Sequence, residues 1–171
     1  GRLAICDDSG AINSLVRRLM REKCRVDGST GRLFYEILEQ LVGKDLHHLE
    51  ELEDLFGVRI KTEEEVKHYA GELQSVGARN VLVSMGALGM LLLTEDARAF
   101  FAEGVKGEAA NTVGAGDSAV AGFLAGWEQS HDWEKALRLA AAAGTATAFT
   151  YGTAHRDEIR HLEKRIQIER I

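Results

Sequence analysis

The sequence contains no proline among its 171 residues, where ordinary usage of about 5% would supply roughly eight. Nothing in the chain accounts physically for that absence, and it suggests an unusual history, by divergence or by engineering. Cysteine is scarce as well. Cys6 and Cys24 have neither CxxC nor metal-ligand spacing, which points to reduced, buried thiols in a cytoplasmic protein. No run reaches the roughly 18 apolar residues of a membrane span. The longest candidate, residues 139–149, is mostly Ala, Gly and Thr, which suits close helix packing. Positive charge is not in excess either. Lys and Arg number 21 against 27 Asp and Glu, a net charge of −6, which argues against nucleic acid or an anionic membrane as a partner. An anionic ligand would need local positive potential from helix ends, lysine or metal. Signal peptide, internal repeat, linker and low-complexity segment are all missing from the pattern. What is left is ordinary globular composition, 45% hydrophobic and 28% charged. The length predicts one domain over residues 1–171, large enough for a proper core.

The chain is organised around Asn111-Thr-Val-Gly-Ala-Gly-Asp117. Gly114, Ala115 and Gly116 are three small residues before a carboxylate, and an amphipathic helix pattern starts at once. Ala119, Phe123 and Trp127 recur at helical spacing, with Val120 and Leu124 alongside, predicting one apolar face. A Gly-rich entry leaves the first amides of a helix unpaired and open, so they and the positive end of the dipole can hold an anion. A carboxylate at that point would repel a phosphate that was only bound. It makes sense as a base that takes a proton from a hydroxyl attacking a phosphoryl group. The plainer alternative is that Asp117 occupies the first helical turn, where acids are favoured.

The whole run Asn111–Phe123 resembles the signature near the C-terminus of the PfkB (ribokinase-like) sugar kinases. Its ending, Ser118-Ala-Val-Ala-Gly-Phe123, looks most like the 1-phosphofructokinase and tagatose-6-phosphate kinase branch. The resemblance covers roughly residues 10–171 and corresponds to the C-terminal half of such a kinase. It implies a three-layer, Rossmann-like (ribokinase-like) fold with a mostly parallel sheet and an antiparallel strand pair near residues 80–102. The residues themselves agree. Thr62-Glu-Glu-Glu65 reads as a capping box opening a helix with Val66, Tyr69, Leu73 and Val76 on one face, ended by Gly77. The apolar run Asn80–Met85 reads as a strand buried on both faces, and helix followed by buried strand is the rhythm of an α/β sheet. A second strand is predicted over residues 90–94, another over 97–102, and an edge strand over 166–171. Asp132 caps an Ala-rich helix from Trp133 to Phe149, and Asp157 starts a last short helix.

Toward the N-terminus the pattern predicts a strand at Leu3–Cys6 and a helix carrying Ile12, Leu15, Val16, Leu19 and Met20. Asp7 and Asp8 between them read as turn and cap residues, with a metal pair as the alternative. A short strand at Cys24–Asp27 precedes the loop Asp27-Gly-Ser-Thr-Gly31, which resembles the Asp-Thr-Ser-Gly loop of 1-phosphofructokinases with a one-residue shift. A plain turn before the helix of Leu33, Phe34, Ile37, Leu38 and Leu41 explains it equally well. Leu49, Leu52, Leu55 and Phe56 then make a short helix stopped by Gly57. This segment looks like the family element that follows a Lys-Pro-Asn motif and carries Asn-x-x-Glu. The Glu falls on Glu51, which the resemblance links to Mg²⁺ and phosphate. The chain departs from the pattern at Leu46, His47 and His48, where the family has Lys, Pro and Asn. His47 and His48 as a metal pair are disfavoured, since adjacent helical residues point apart.

The resemblance implies that Ser84, Met85, Gly86, Ala87, Leu88 and Gly89 form part of an ATP site, although Gly-x-x-Gly is also what any tight turn requires. It likewise places Gly144 and Ala148 on a small-residue helix beside the adenine, where packing is the competing explanation. The expected activity is transfer of the ATP γ-phosphoryl to a sugar phosphate with Mg²⁺, most naturally fructose 1-phosphate. Asp117 is then the base, and the Gly114, Ala115 and Gly116 amides are the anion hole, with Gly116 and Asp117 beside the nucleotide. The alternative is a non-catalytic half-domain that at most binds nucleotide. Without the strands of the family's N-terminal half the sheet would present an open edge, so self-association as a homo-oligomer, or a partner chain, is expected. A strict monomer by size-exclusion mass would exclude a site completed by dimerisation.

Overall fold

Strands made only of apolar residues have no side to offer water, so they require helices on both faces. The computed structural model describes residues 46–75, 77–151 and 154–171, and it meets that requirement. Strand β1 (Leu46–His48) leads into helices α1 (Leu49–Phe56) and α2 (Glu63–Ser75), then β2 (Val81–Ser84), β3 (Gly89–Leu93) and β4 (Ala99–Glu103). Helices α3 (Ala115–Ser130), α4 (Trp133–Phe149) and α5 (Arg156–Glu163) follow, and β5 (Ile168–Arg170) comes last. The expectations at Leu3–Cys6, Asp7–Asp8, the Ile12–Met20 helix, Cys24–Gly31 and the Leu33–Leu41 helix lie outside the described residues.

The strands are ordered β1-β2-β3-β4-β5. β1 pairs parallel with β2, and the remaining three pairings are antiparallel. β2 and β3 are buried at every residue, and the pleat sorts their side chains between two cores. Val81, Val83, Leu91, Leu93 and Phe101 pack toward α1 and α2. Leu82, Met90, Leu92, Phe100 and Ala102 pack toward α3, α4 and α5. The result is the three-layer arrangement expected, with the antiparallel strands near residues 80–102 and the edge strand at the C-terminal end; the sheet was expected to be mostly parallel, and among the described residues one of its four pairings is.

The caps are where the side chains predict them. Thr62 Oγ1 accepts from the Glu65 amide at 3.2 Å, and Glu65 Oε2 accepts from the Thr62 amide at 3.1 Å. Asp132 Oδ1 accepts from the Lys135 amide at 3.1 Å at the start of α4. Two expectations need correction. His47 and His48 belong to β1, in register with Val83 and Ser84, and not to a helix; α1 begins only at Leu49. On α3, Leu124 faces outward at 55% exposure. The face buried against α4 runs through Ala119, Gly122, Phe123 and Gly126, because the small residues of both helices allow the closest approach there.

The β3–β4 turn carries a small polar network with a pH consequence. Asp96 accepts from Arg98 Nε at 2.8 Å and from the Thr94 hydroxyl, and the Arg98 guanidinium lies 2.7 Å away. The hydrogen bond from Arg98, then that from Thr94, lowers the Asp96 carboxyl from its ordinary 3.8 to about 2. A depressed folded-state value means the contribution is complete above about pH 4 and is lost as pH falls toward 2. Thermal melts of the parent chain and Asp96→Asn should therefore converge over that interval and differ above it. A gap that persists unchanged at pH 2 would refute the coupling.

Candidate active site

Three strand ends converge at one edge of the sheet. β1 and β2 are parallel, and β4 runs the same way because both β2 and β4 are antiparallel to β3. Their C-terminal ends open into the start of α1, the turn after Ser84 and the 104–114 loop before α3. In open α/β sheets this is the edge where ligands sit.

The turn after β2 forms one wall. Ser84 and Met85 are buried, while Gly86, Ala87 and Leu88 form an exposed 3₁₀ turn. The Leu88 amide donates to Met85 O at 3.1 Å and the Met85 amide to Gly89 O at 2.9 Å. The Gly104 amide donates to Leu88 O at 3.1 Å, so this turn is fastened to the strand exit that leads into the Asn111–Asp117 motif. Gly89 has φ 125°, and a Cβ placed on it would lie 2.0 Å from Ala102 O. Only glycine fits there.

The motif forms the other wall. The Ala110 and Asn111 amides both donate to Ala148 O, at 2.8 and 3.1 Å, which ties the loop to the last turn of α4. Asn111 Oδ1 accepts from the Val113 amide at 3.1 Å, the Asx turn that asparagine forms with the backbone two residues on. Gly114 follows at φ 80°, ψ −1°, a left-handed conformation that costs a side-chain-bearing residue about 1–2 kcal/mol. That reversal lets α3 begin at the very next residue.

Helical bonding starts with the Ser118 amide on Gly114 O at 2.9 Å. Among the described residues the amides of Gly114, Gly116 and Asp117 have no acceptor, whereas the Ala115 amide donates to Thr112 O at 3.2 Å. Of the expected trio, Ala115 is engaged in the turn, and the amides left open among the described residues are those of Gly114, Gly116 and Asp117. Asp117 itself is exposed in the first turn of α3, and its carboxylate has no hydrogen-bond partner among the described residues. A cluster of open donors and a carboxylate thus share one helix start, which suits an anion carrying a group that must lose a proton.

Glu51 is exposed in the first turn of α1, at the same sheet edge. Among the described residues no group of three or more His, Cys, Asp or Glu side chains is arranged to hold a metal ion. A Mg²⁺ that arrives on nucleotide phosphates keeps several waters and needs only one or two carboxylates. Glu51 is one carboxylate at this edge. Gly144 is buried in α4, and a Cβ on it would stand 3.2 Å from Ala115 O and from Ala119 Cβ, so it touches the back of the motif. Sequence reasoning read residues 140–149 as a small-residue helix, beside the adenine by resemblance or explained by packing alone, and missed Thr147. This residue is 7% exposed, and its Oγ1 donates to Ser118 Oγ at 2.8 Å. The available signal was a hydroxyl inside an alanine-rich helix, but Thr145 carries the same signal two residues earlier. No helix among the described residues is long and apolar enough to cross a membrane.

A family model described as pfkB family carbohydrate kinase matches residues 48–160. The chain is 41% identical over 128 residues to the 1-phosphofructokinase of Bacillus subtilis (strain 168), covering 75% of this chain and 41% of that one. It therefore spans well under half the length of this curated relative. Among solved structures, a Staphylococcus aureus protein assigned as a phosphofructokinase superposes with a TM-score of 0.72 at 27% identity, over 86% of this chain and 55% of that one. The ribokinase of Arabidopsis thaliana, complexed with ribose and ATP, superposes at 0.64 with 25% identity, over 76% of this chain and 43% of that one.

Proposed function

The chain belongs to the pfkB family of carbohydrate kinases, and from that premise we propose that it transfers the γ-phosphoryl of ATP to a sugar phosphate, the 6-hydroxyl of fructose 1-phosphate. One observation carries the reading: Asp117, a carboxylate with no partner among the described residues, shares the first turn of α3 with open backbone amides at the ligand edge of the sheet. In this scheme Asp117 accepts the proton of the attacking hydroxyl. A new O–P bond forms at the sugar, the bond from Pγ to the bridging oxygen breaks, and ADP leaves. The Gly114, Gly116 and Asp117 amides cradle the transferring group, where preorganised donors stabilise the charge that develops. The Ser84–Gly89 turn holds the nucleotide from the opposite wall, with Gly144 behind the motif as the floor. Mg²⁺ fits as an ion carried by the phosphates and approached by Glu51, and it would neutralise phosphate charge during transfer.

A second reading is a chain that binds nucleotide without turnover. The observation in its favour is coverage, since the match extends over 41% of the B. subtilis relative. ADP release from Mg-ATP, measured with fructose 1-phosphate and without sugar, separates the two. Sugar-dependent release supports the kinase. Binding of Mg-ATP with no release supports the second reading, and absence of binding removes both.

A further inference from the structure

We propose that Thr147 is the positioning residue of the candidate site, holding the first turn of α3 in the geometry that aims Asp117 and the open amides. This inference rests on the kinase reading for its catalytic meaning, though the geometry it describes is independent of that reading. A threonine inside a helix ordinarily turns its hydroxyl back to the carbonyl one turn earlier or out to water. Thr147 does neither: its buried hydroxyl crosses to Ser118 Oγ at 2.8 Å. Among the described residues this is the one side-chain hydrogen bond between α3 and α4. Ser118 directly follows Asp117, and its own amide makes the first bond of the helix, to Gly114 O.

The next residue of α4 acts on the other side of the same loop. Ala148 O accepts from both Ala110 and Asn111, so residues 147 and 148 grip the motif before and after its glycines. One turn earlier, Gly144 faces Ala115 with room for no more than a tight methyl between them, since a Cβ on it would stand 3.2 Å from Ala115 O. The last two turns of α4 thus form a template for the loop, and Thr147 supplies its only side-chain hydrogen bond among the described residues. A helix start with three amides unpaired among the described residues has little internal bonding to hold it, so an outside tie has leverage on where those amides point. Near-attack geometry is sensitive to such placement, and a shift of about 1 Å can cost on the order of 10²-fold in rate.

The test compares the parent chain with Thr147→Val, which keeps the shape and loses the hydroxyl, and Thr147→Ser, which keeps the hydroxyl. Turnover of Mg-ATP with fructose 1-phosphate is measured together with hydrogen exchange at the Ser118 amide. The expected result is a fall in kcat of about tenfold or more in Thr147→Val, with KM for ATP within about twofold. Faster Ser118 exchange should accompany it, and Thr147→Ser should restore both. Equal kcat in parent and Thr147→Val, or equal losses in the two variants, would overturn the proposal. If the parent shows no turnover, the kinase reading fails by itself, and exchange decides the positioning role. Faster exchange in Thr147→Val alone sustains that role, and unchanged exchange refutes it.

Discussion

Asp117→Asn should lower phosphoryl transfer by roughly 10²–10⁴-fold, the range a positioned general base contributes, while the chain keeps its melting temperature. The side chain is exposed and has no hydrogen-bond partner among the described residues, so the amide replacement breaks no contact there. Affinity for Mg-ATP should stay equal or tighten, because a negative charge beside the open amides has been removed. Loss of kcat without loss of nucleotide binding is the signature of a group that acts on the proton and not on the ligand's hold. The competing account, an acid that merely complements the helix dipole, predicts the reverse. It gives a stability loss of about 0.3–1 kcal/mol with turnover intact. Steady-state kinetics and a thermal melt on the same two samples distinguish them.

The second large effect is structural and falls on the opposite wall. In Gly89→Ala the new methyl would lie 2.0 Å from Ala102 O and 2.8 Å from the Gly104 nitrogen, both backbone atoms. Neither can swing aside as a side-chain tip would. The strands themselves must separate at the Gly89–Glu103 end of the β3–β4 pairing, beside the bond from Gly104 to Leu88 that fastens the turn after Ser84. A loss of roughly 4 kcal/mol or more is expected, beyond the usual 0.5–3 of single substitutions and a large share of the 5–15 that a domain possesses. Gly86→Ala is the internal control. Gly86 also has a positive φ, of 56°, but a Cβ there meets nothing within 4 Å, so only backbone strain of about 1–2 kcal/mol applies. Urea melts in which the two variants lose similar stability would contradict this account of β3–β4 packing.

Much of this was legible in the chain. The capping box at Thr62, the Asp132 cap, the stop after Phe56 and the buried strand at Val81–Ser84 are local events, decided by residues within a few positions of one another. The glycine-rich entry to a helix at Asp117 was legible for the same reason, since it is carried by seven consecutive residues. Three things were not. β1 is three residues long, too short for any periodicity, and it is a strand because it pairs with β2. Leu124 sits where a stripe of alternating apolar residues would have put it inside, yet α4 came to rest against the glycines of α3. Ala115 is as small and as close to Asp117 as its neighbours, and only the turn back to Thr112 separates its amide from the open ones.

By itself, then, the order of residues determined the family, the alternation of helices and buried strands and the glycine-rich entry to α3. Those follow from side-chain type, local backbone preference and period, which act along the chain. Tertiary structure decided which amides stay open, which face of α3 is covered, and that Thr147 and Ala148 grip a loop about thirty to forty residues away from them in sequence. Such contacts depend on how closely two helices pack and on where a sheet ends. Those distances are set by the joint fit of all three layers, and no window of neighbouring residues contains them.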